Sequence, residues 1–371
     1  MTYWELKKAN RYELYCKYLK GEISREKLYT QLPEEYKNIV INREISQETI
    51  VQIFETIDSN MNILGEKSVD IIIGGPPCQA YSLVGRARDP HGKKNDPRNY
   101  LYKQYIKFLE KYKPKMFVFE NVPGIFSANN GALFEEMKKD IQSLGYTLEG
   151  KILDASKHGV LQQRKRVILI GWMNGSNLGF PDIEEVTHNH QVSELLLDLP
   201  PLEPGESYRW CNYIREASSY LVEAGIREDD FVTQHISRTH NERDRKIYKL
   251  VIEAWERDKR RLKYTDLPSE LRTHKNLRSF LDRFKVVAAD LPFCHTMVAH
   301  ISKDGHYYIH PDITQLRSLS VREAARIQSF PDNYYFEGSR TAMFTQIGNA
   351  VPPILSEKIA IGVMEELKKL S

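Results

Sequence analysis

The stretch Val69–Ile73, followed by Gly74-Gly75-Pro76-Pro77-Cys78-Gln79, constrains this chain more than any other. Four of the five residues before the glycines are β-branched, which gives the run the length and composition of a buried parallel strand. Two glycines and two prolines then stop it abruptly, so the chain turns hard at the strand's carboxyl end. In an open α/β sheet that end is where ligands bind. Cys78 sits on the turn. A thiol fixed in direction and open to a ligand is a candidate nucleophile. An isolated cysteine after a strand is more often buried packing, but the residues around this one argue for chemistry.

The 371 residues leave room for two domains. Charge is nearly balanced, 53 Lys and Arg against 50 Asp and Glu, so the total does not by itself imply a nucleic-acid partner. Its distribution says more. From Arg238 to Lys285 there are 15 basic against 8 acidic residues, an excess that reads equally as a solvated helix face or a patch for a polyanion. Cys16, Cys78, Cys211 and Cys294 form no Cys-x-x-Cys pair. That spacing suggests neither a zinc site nor a disulfide framework and fits a reducing compartment. His306 and His310 are spaced His-x-x-x-His with no Glu between them, in a run that reads as a strand, and no metal site is expected. The start lacks an apolar signal core, and no apolar run approaches the roughly 20 residues of a membrane span. A soluble, cytoplasmic, nucleoid-associated protein is expected.

Residues 1–40 are charged and Tyr-rich, and Tyr12, Leu14, Tyr15, Tyr18 and Leu19 have helical spacing, which predicts a helical lead-in. Strands are then predicted at Val69–Ile73, Met116–Glu120, Thr147–Leu153 and Arg166–Trp172, with helices near Leu101–Lys111 and Ala132–Leu144. That alternation predicts an α/β fold with a doubly wound, mostly parallel sheet. The regime ends near Asn174–Phe180 and gives way to irregular sequence with a basic helix around Asn241–Arg261. Ser320 with Glu323 makes a capping box for a helix over Ser320–Gln328, and a last helix is predicted at Ile354–Leu370. The domain reading is therefore 1–180 as the first part of a catalytic domain, 181–312 as a smaller insert, and 313–371 as a return segment.

Three further motifs fall at strand ends or turns. Phe117–Gly124 carries Glu120-Asn121 at the end of an apolar strand, where a carboxylate is costly to bury without a partner. Gln162-Gln-Arg-Lys-Arg166 places Arg164 and Arg166 at alternating positions entering the next strand. Gln346–Pro353 holds a Gly348-Asn349 turn ahead of the last helix. A sheet edge with Cys, Glu and two Arg suits a planar, polar, electron-poor ring.

On these residues the chain resembles the DNA cytosine-5 methyltransferases. The matching motifs are Gly-Gly-Pro-Pro-Cys-Gln at 74–79, Glu-Asn-Val at 120–122 and Gln-x-Arg-x-Arg at 162–166. Arg322-Glu-Ala-Ala-Arg-Ile-Gln-Ser-Phe-Pro-Asp332 and Gly348-Asn-Ala-Val-Pro352 complete the set, in the family's order. The resemblance implies a Rossmann-like S-adenosylmethionine-dependent fold with residues 181–312 as the target-recognition domain. It implies that Cys78 adds to cytosine C6, making C5 nucleophilic toward a methyl group. Glu120 would bind and protonate N3, and Arg166 with Arg164 would hold the carbonyl oxygen and a phosphate. The target base must flip out of the duplex. Ser82 and Gln162 would lie at the DNA. The implied cofactor contacts are Glu44, Pro77, Gln79, Leu101, Asn349 and Ala350. Arg322 and Glu323 read as structural, and Cys211 and Cys294 as inert.

One departure stands out: the family's opening Phe-x-Gly-x-Gly-Gly turn has no counterpart, because no Gly-x-Gly occurs in the chain. The sheet is expected to lack its first strand–helix unit, leaving apolar surface uncovered. Three explanations are a late start, a split enzyme whose second polypeptide supplies the glycine turn, and a degenerate DNA-binding member. The expected partner is double-stranded DNA, in a restriction–modification setting. A non-catalytic regulatory subunit and an RNA-directed relative are the competing readings.

Overall fold

The computed structural model describes residue 6 and residues 11–32, 40–76, 101–279 and 281–370. In chain order its longer elements are α1 (Tyr12–Lys20), α2 (Arg25–Thr30), α3 (Ile50–Leu64), β1 (Ile71–Gly74), α4 (Tyr102–Tyr112) and β2 (Met116–Asn121). There follow α5 (Ala132–Ser143), β3 (Tyr146–Asp154), β4 (Lys165–Met173), β5 (Ser207–Asn212), α6 (Ser219–Glu223), β6 (Phe231–Ile236) and α7 (Glu242–Asp258). The last three are α8 (Val321–Ile327), α9 (Arg340–Asn349) and α10 (Pro353–Lys368). No helix of the described residues is long and apolar enough to cross a membrane.

The chain divides into two compact units. One comprises 31–154, 165–184 and 358–371, and is called the sheet unit here; the other comprises 1–30, 155–164 and 185–357, the mixed unit. These boundaries run elsewhere than the sequence division at 180 and 312. Residues 1–30 and 313–357 group with the stretch read as an insert rather than with the sheet. For the N-terminus the reason is a row of tyrosines on α1. Tyr12 donates to Asp229 (2.6 Å) and Tyr15 to the carbonyl of Asn333 (2.9 Å). Arg209 reaches back to the carbonyls of Tyr18 and Leu19 (2.7 and 3.0 Å).

In the sheet unit the strand order is β1-β2-β4-β3. β1 pairs parallel to β2, whereas β4 is antiparallel to both β2 and β3. Three strands thus share a direction, with β4 reversed between them. The cause of the reversal is connection length. Only residues 155–164 join β3 to β4, too few for the crossover that a parallel pair requires. Alternate residues of β2 and β4 supply both faces. Phe117, Phe119, Val167 and Leu169 pack with Tyr105 and Leu109 of α4 and with Leu133, Met137 and Ile141 of α5. Met116, Val118, Ile168 and Ile170, pointing the other way, are buried too, as in a sheet covered on both sides. β1 ends the described sheet, and its Ile73 is 70% exposed.

In the mixed unit, α8 is the keystone. Ser320 caps it, accepting from Glu323 N (3.1 Å) while the Glu323 carboxylate accepts from Ser320 N (2.7 Å). That is the predicted capping box. Arg317 ion-pairs with Glu323 at 2.7 Å, and Arg326 with Asp332 at 2.6 Å and with Asp198. Arg322 donates to Thr233 O, Pro331 O and Tyr334 O, all within 2.8 Å. Arg322 and Glu323 are accordingly structural. Cys294 and Cys211 are desolvated, which pushes their thiols up to about 12 and about 11. Residues 306–307 form a turn rather than the expected strand; there the Tyr248 hydroxyl meets His306 Nδ1 at 2.8 Å.

Candidate active site

The geometry at the strand ends follows from the topology. β1 and β2 run together and end at Gly74 and Asn121; reversed β4 begins at that same edge, with Val167 opposite Asn121 and Ile168 opposite Glu120. One residue earlier, Arg166 Nε reaches Glu120 Oε1 at 2.8 Å. The side chains are 10% and 24% exposed, so the pair is shielded yet reachable. The sequence placed these two residues at one sheet edge, and the structure brings them into contact.

Both glycines of the turn are needed for close approach, since neither has a positive φ. A Cβ on Gly75 would stand 2.9 Å from Glu120 Oε2, and one on Gly74 would enter the Tyr105 ring at 2.7 Å. Tyr105 also donates toward Ile72 O (3.1 Å) and Val118 O (3.0 Å), tying β1 to β2 just behind the turn. Asn121, almost fully buried, donates to Pro76 O (3.3 Å) and accepts from Val122 N (2.9 Å). It pins the chain two residues before Cys78. The sequence reading quoted Asn121 inside a motif but gave it no role. Its signal was an amide at the end of an apolar strand, beside a proline turn whose carbonyls need donors.

Cys78, Pro77, Gln79 and Ser82 lie outside the described residues. Of the other candidates in the sheet unit, Glu44 is exposed on the irregular segment before α3, and Leu101 is half-buried at the start of α4.

In the mixed unit the expected substrate contacts Arg164 and Gln162 are both fully buried. Arg164 donates to the carbonyls of Met297, Gly348 (2.9 Å) and Ala350 (2.7 Å). Gln162 donates to Ile327 O and Gln328 Oε1, each at 3.0 Å, and accepts from Met297 N at 2.8 Å. Their polar groups face protein groups, chiefly backbone. Asn349 is exposed at the end of α9, and Ala350 is half-buried.

The basic segment separates into parts. α7 buries Ile247, Tyr248, Val251 and Ile252, and its exposed lysines pair along the helix, Lys246 with Glu242 (2.9 Å) and Lys249 with Glu253 (3.9 Å). The unbalanced charge therefore follows the helix. Arg272, Lys275 and Arg278 come from a stretch with no acid between Glu270 and Asp282. Its backbone is held by the Tyr264 hydroxyl, which accepts from Thr273 N (2.7 Å) and His274 N (2.8 Å). Asn276 Oδ1 then caps the turn, accepting from Arg278 N at 2.9 Å.

A family model described as C-5 cytosine-specific DNA methylase matches residues 34–365. The type II methyltransferase M.Bpa9945I of Bacillus paralicheniformis is 43% identical over 402 aligned residues, covering 98% of this chain and 89% of the relative. The type II methyltransferase M.AgeI of Thalassovita gelatinovora is 31% identical, covering 79% of this chain and 82% of its own. Among solved structures, a DNA modification methyltransferase encoded within an Escherichia coli prophage superposes with a TM-score of 0.60. It is 23% identical and covers 88% of this chain and 86% of that one, a likeness of fold that is Rossmann-like.

Proposed function

Because the chain belongs to the C-5 cytosine-specific DNA methylases, we propose that it methylates C5 of a flipped-out cytosine within a specific duplex sequence. The setting we infer is the modification half of a restriction–modification system. The observation that carries the reading is the Glu120–Arg166 pair, 2.8 Å apart at the edge reached by the Gly75 turn that precedes Cys78. A carboxylate held by a guanidinium offers acceptor and donor atoms side by side, the pattern needed to read one edge of a pyrimidine.

In this reading Cys78 Sγ bonds to C6, and the electron pair of the C5–C6 double bond shifts to C5. Glu120 hydrogen-bonds N3 and the exocyclic amine; in its acid form it gives N3 a proton as the sulfur adds, and it takes that proton back when the double bond re-forms. Arg166 fixes the Glu120 carboxylate and meets the O2 carbonyl. After methylation a base removes the C5 proton, the double bond re-forms and Cys78 leaves. Asn121 and Tyr105 hold the turn so that the thiol keeps one direction.

S-adenosylmethionine supplies the electrophilic methyl group when bound. The residues present fit it in kind: the half-buried Leu101 for the adenine face, the exposed Glu44 carboxylate for amine or hydroxyl donors, and the exposed Asn349 amide beside Ala350. Pro77 and Gln79 are assigned to it by resemblance, as Ser82 is to DNA. For the family's glycine turn, which this sequence lacks, we retain a second polypeptide as a partner. Arg272, Lys275 and Arg278 are assigned to DNA phosphates, since cations without acidic neighbours in the chain supply affinity without reading sequence.

Incubating the chain with methyl-labelled S-adenosylmethionine and mixed-sequence duplex DNA tests the reading. Digestion should release label as 5-methylcytosine from one sequence context. Label in N-methylated bases, or in transfer RNA alone, would overturn it.

A further inference from the structure

We propose that Arg164 is a positioning residue that sets the Gly348-Asn349-Ala350 turn for cofactor binding, a role that rests on the functional reading above. The guanidinium is 0% exposed, so a charge has been taken out of water and its desolvation must be offset by what it binds. One nitrogen, Nη2, donates to both Gly348 O (2.9 Å) and Ala350 O (2.7 Å). The residues flanking Asn349 are thereby fixed to one point while Asn349 itself stays exposed. Nη1 donates to Met297 O, anchoring that point to another segment.

The same turn is held from its other side. Gln328 Nε2 donates to Ile347 O at 2.7 Å, and Gln328 Oε1 accepts from Gln162 Nε2 at 3.0 Å. Gln162 also holds Met297 N at 2.8 Å. Three motifs distant in sequence, through Gln162 and Arg164, Gln328, and Gly348 and Ala350, therefore share one buried network. Packing leaves the turn no slack, since a Cβ on Gly348 would stand 2.2 Å from Ala299 N. An amide between two tethered carbonyls is preorganised, so binding loses less entropy in ordering it. Arg164 acts through the turn and touches no reacting atom.

The test measures the affinity of the full-length chain for S-adenosylhomocysteine by calorimetry, alongside steady-state kinetics. Arg164→Lys keeps the charge but loses the planar two-nitrogen reach. Its dissociation constant should rise about tenfold, the weight of one charge-assisted hydrogen bond. KM for the cofactor should rise in step while kcat and KM for DNA stay within about threefold. Gln328→Met, which removes the opposite tether, should raise the same constant less, and it decides the matter if Arg164→Lys does not fold. Unchanged affinity in a folded variant, whether or not its melting temperature falls, overturns the proposal alone. A wild-type chain that binds no cofactor overturns the functional reading and this proposal with it.

Discussion

At the scale of single residues, the account turns on two side chains that meet because a strand runs backwards. Glu120 alone at an apolar strand end would be destabilising, and Arg166 at 2.8 Å offsets that cost. Glu120→Gln keeps the shape and removes the group that ionises and carries the proton. Methyl transfer should fall by about 10²-fold or more, with a melting temperature close to wild type, measured by label incorporation and thermal unfolding on one preparation. A loss of fold without a loss of specific rate would show that the pair is only structural. The sequence identified both residues, because a charge at the end of an apolar run is visible without a structure. It also placed Arg164 and Gln162 at the substrate. Alternation along a strand says which way a side chain leaves the backbone, but not that Met297, Gly348 and Ala350 bring carbonyls to meet it.

At the scale of elements, strands β1 to β4 were legible within a residue or two, since β-branched runs bounded by Gly, Pro and Asn have few other uses. The capping box at Ser320 was legible for the same local reason. Strand pairing was less so, although the short 155–164 connection already forbade a parallel β3–β4 pair. The packing around α8 was hidden, because several of its partners come from about a hundred residues away in the chain. Four histidines of the mixed unit depend on burial of this kind. Burial lowers His235 and His310 to about 4, and His240 and His295 to about 3. Their unfolded value is near 6.5, so between those limits the unfolded chain binds more protons and stability falls as pH falls. Each such histidine contributes a slope of about 1.4 kcal/mol per pH unit. Denaturation midpoints should therefore drop steeply from pH 6.5 to pH 4. His310→Gln should flatten that slope; an unchanged slope would mean the ring is not held neutral. Below that range Glu323, held down by Arg317 against its own burial, loses stability in the same direction as it protonates.

At the scale of the whole molecule, a net charge of +3 hides a division of labour. The acids and bases of α7 cancel along the helix, and Arg272, Lys275 and Arg278 follow it in a stretch with no acid between Glu270 and Asp282. Replacing all three by glutamine should weaken duplex binding similarly for every sequence. It should also reduce the slope of log affinity against log salt by about 0.9 for each phosphate no longer neutralised. An unchanged slope in a fluorescence titration would move the DNA interface elsewhere. Composition could show the local excess, but only the folded helix shows which cations are already paired. The most direct measurement is covalent trapping. A duplex carrying 5-fluorocytosine in the methylated context cannot lose a C5 proton, so addition of sulfur to C6 becomes permanent. Mass spectrometry of the digested complex should find the fluorinated base on Cys78 in the presence of S-adenosylmethionine, and none with Cys78→Ser. An intact Cys78 in a chain that still methylates DNA, or an adduct on another residue, would contradict the account.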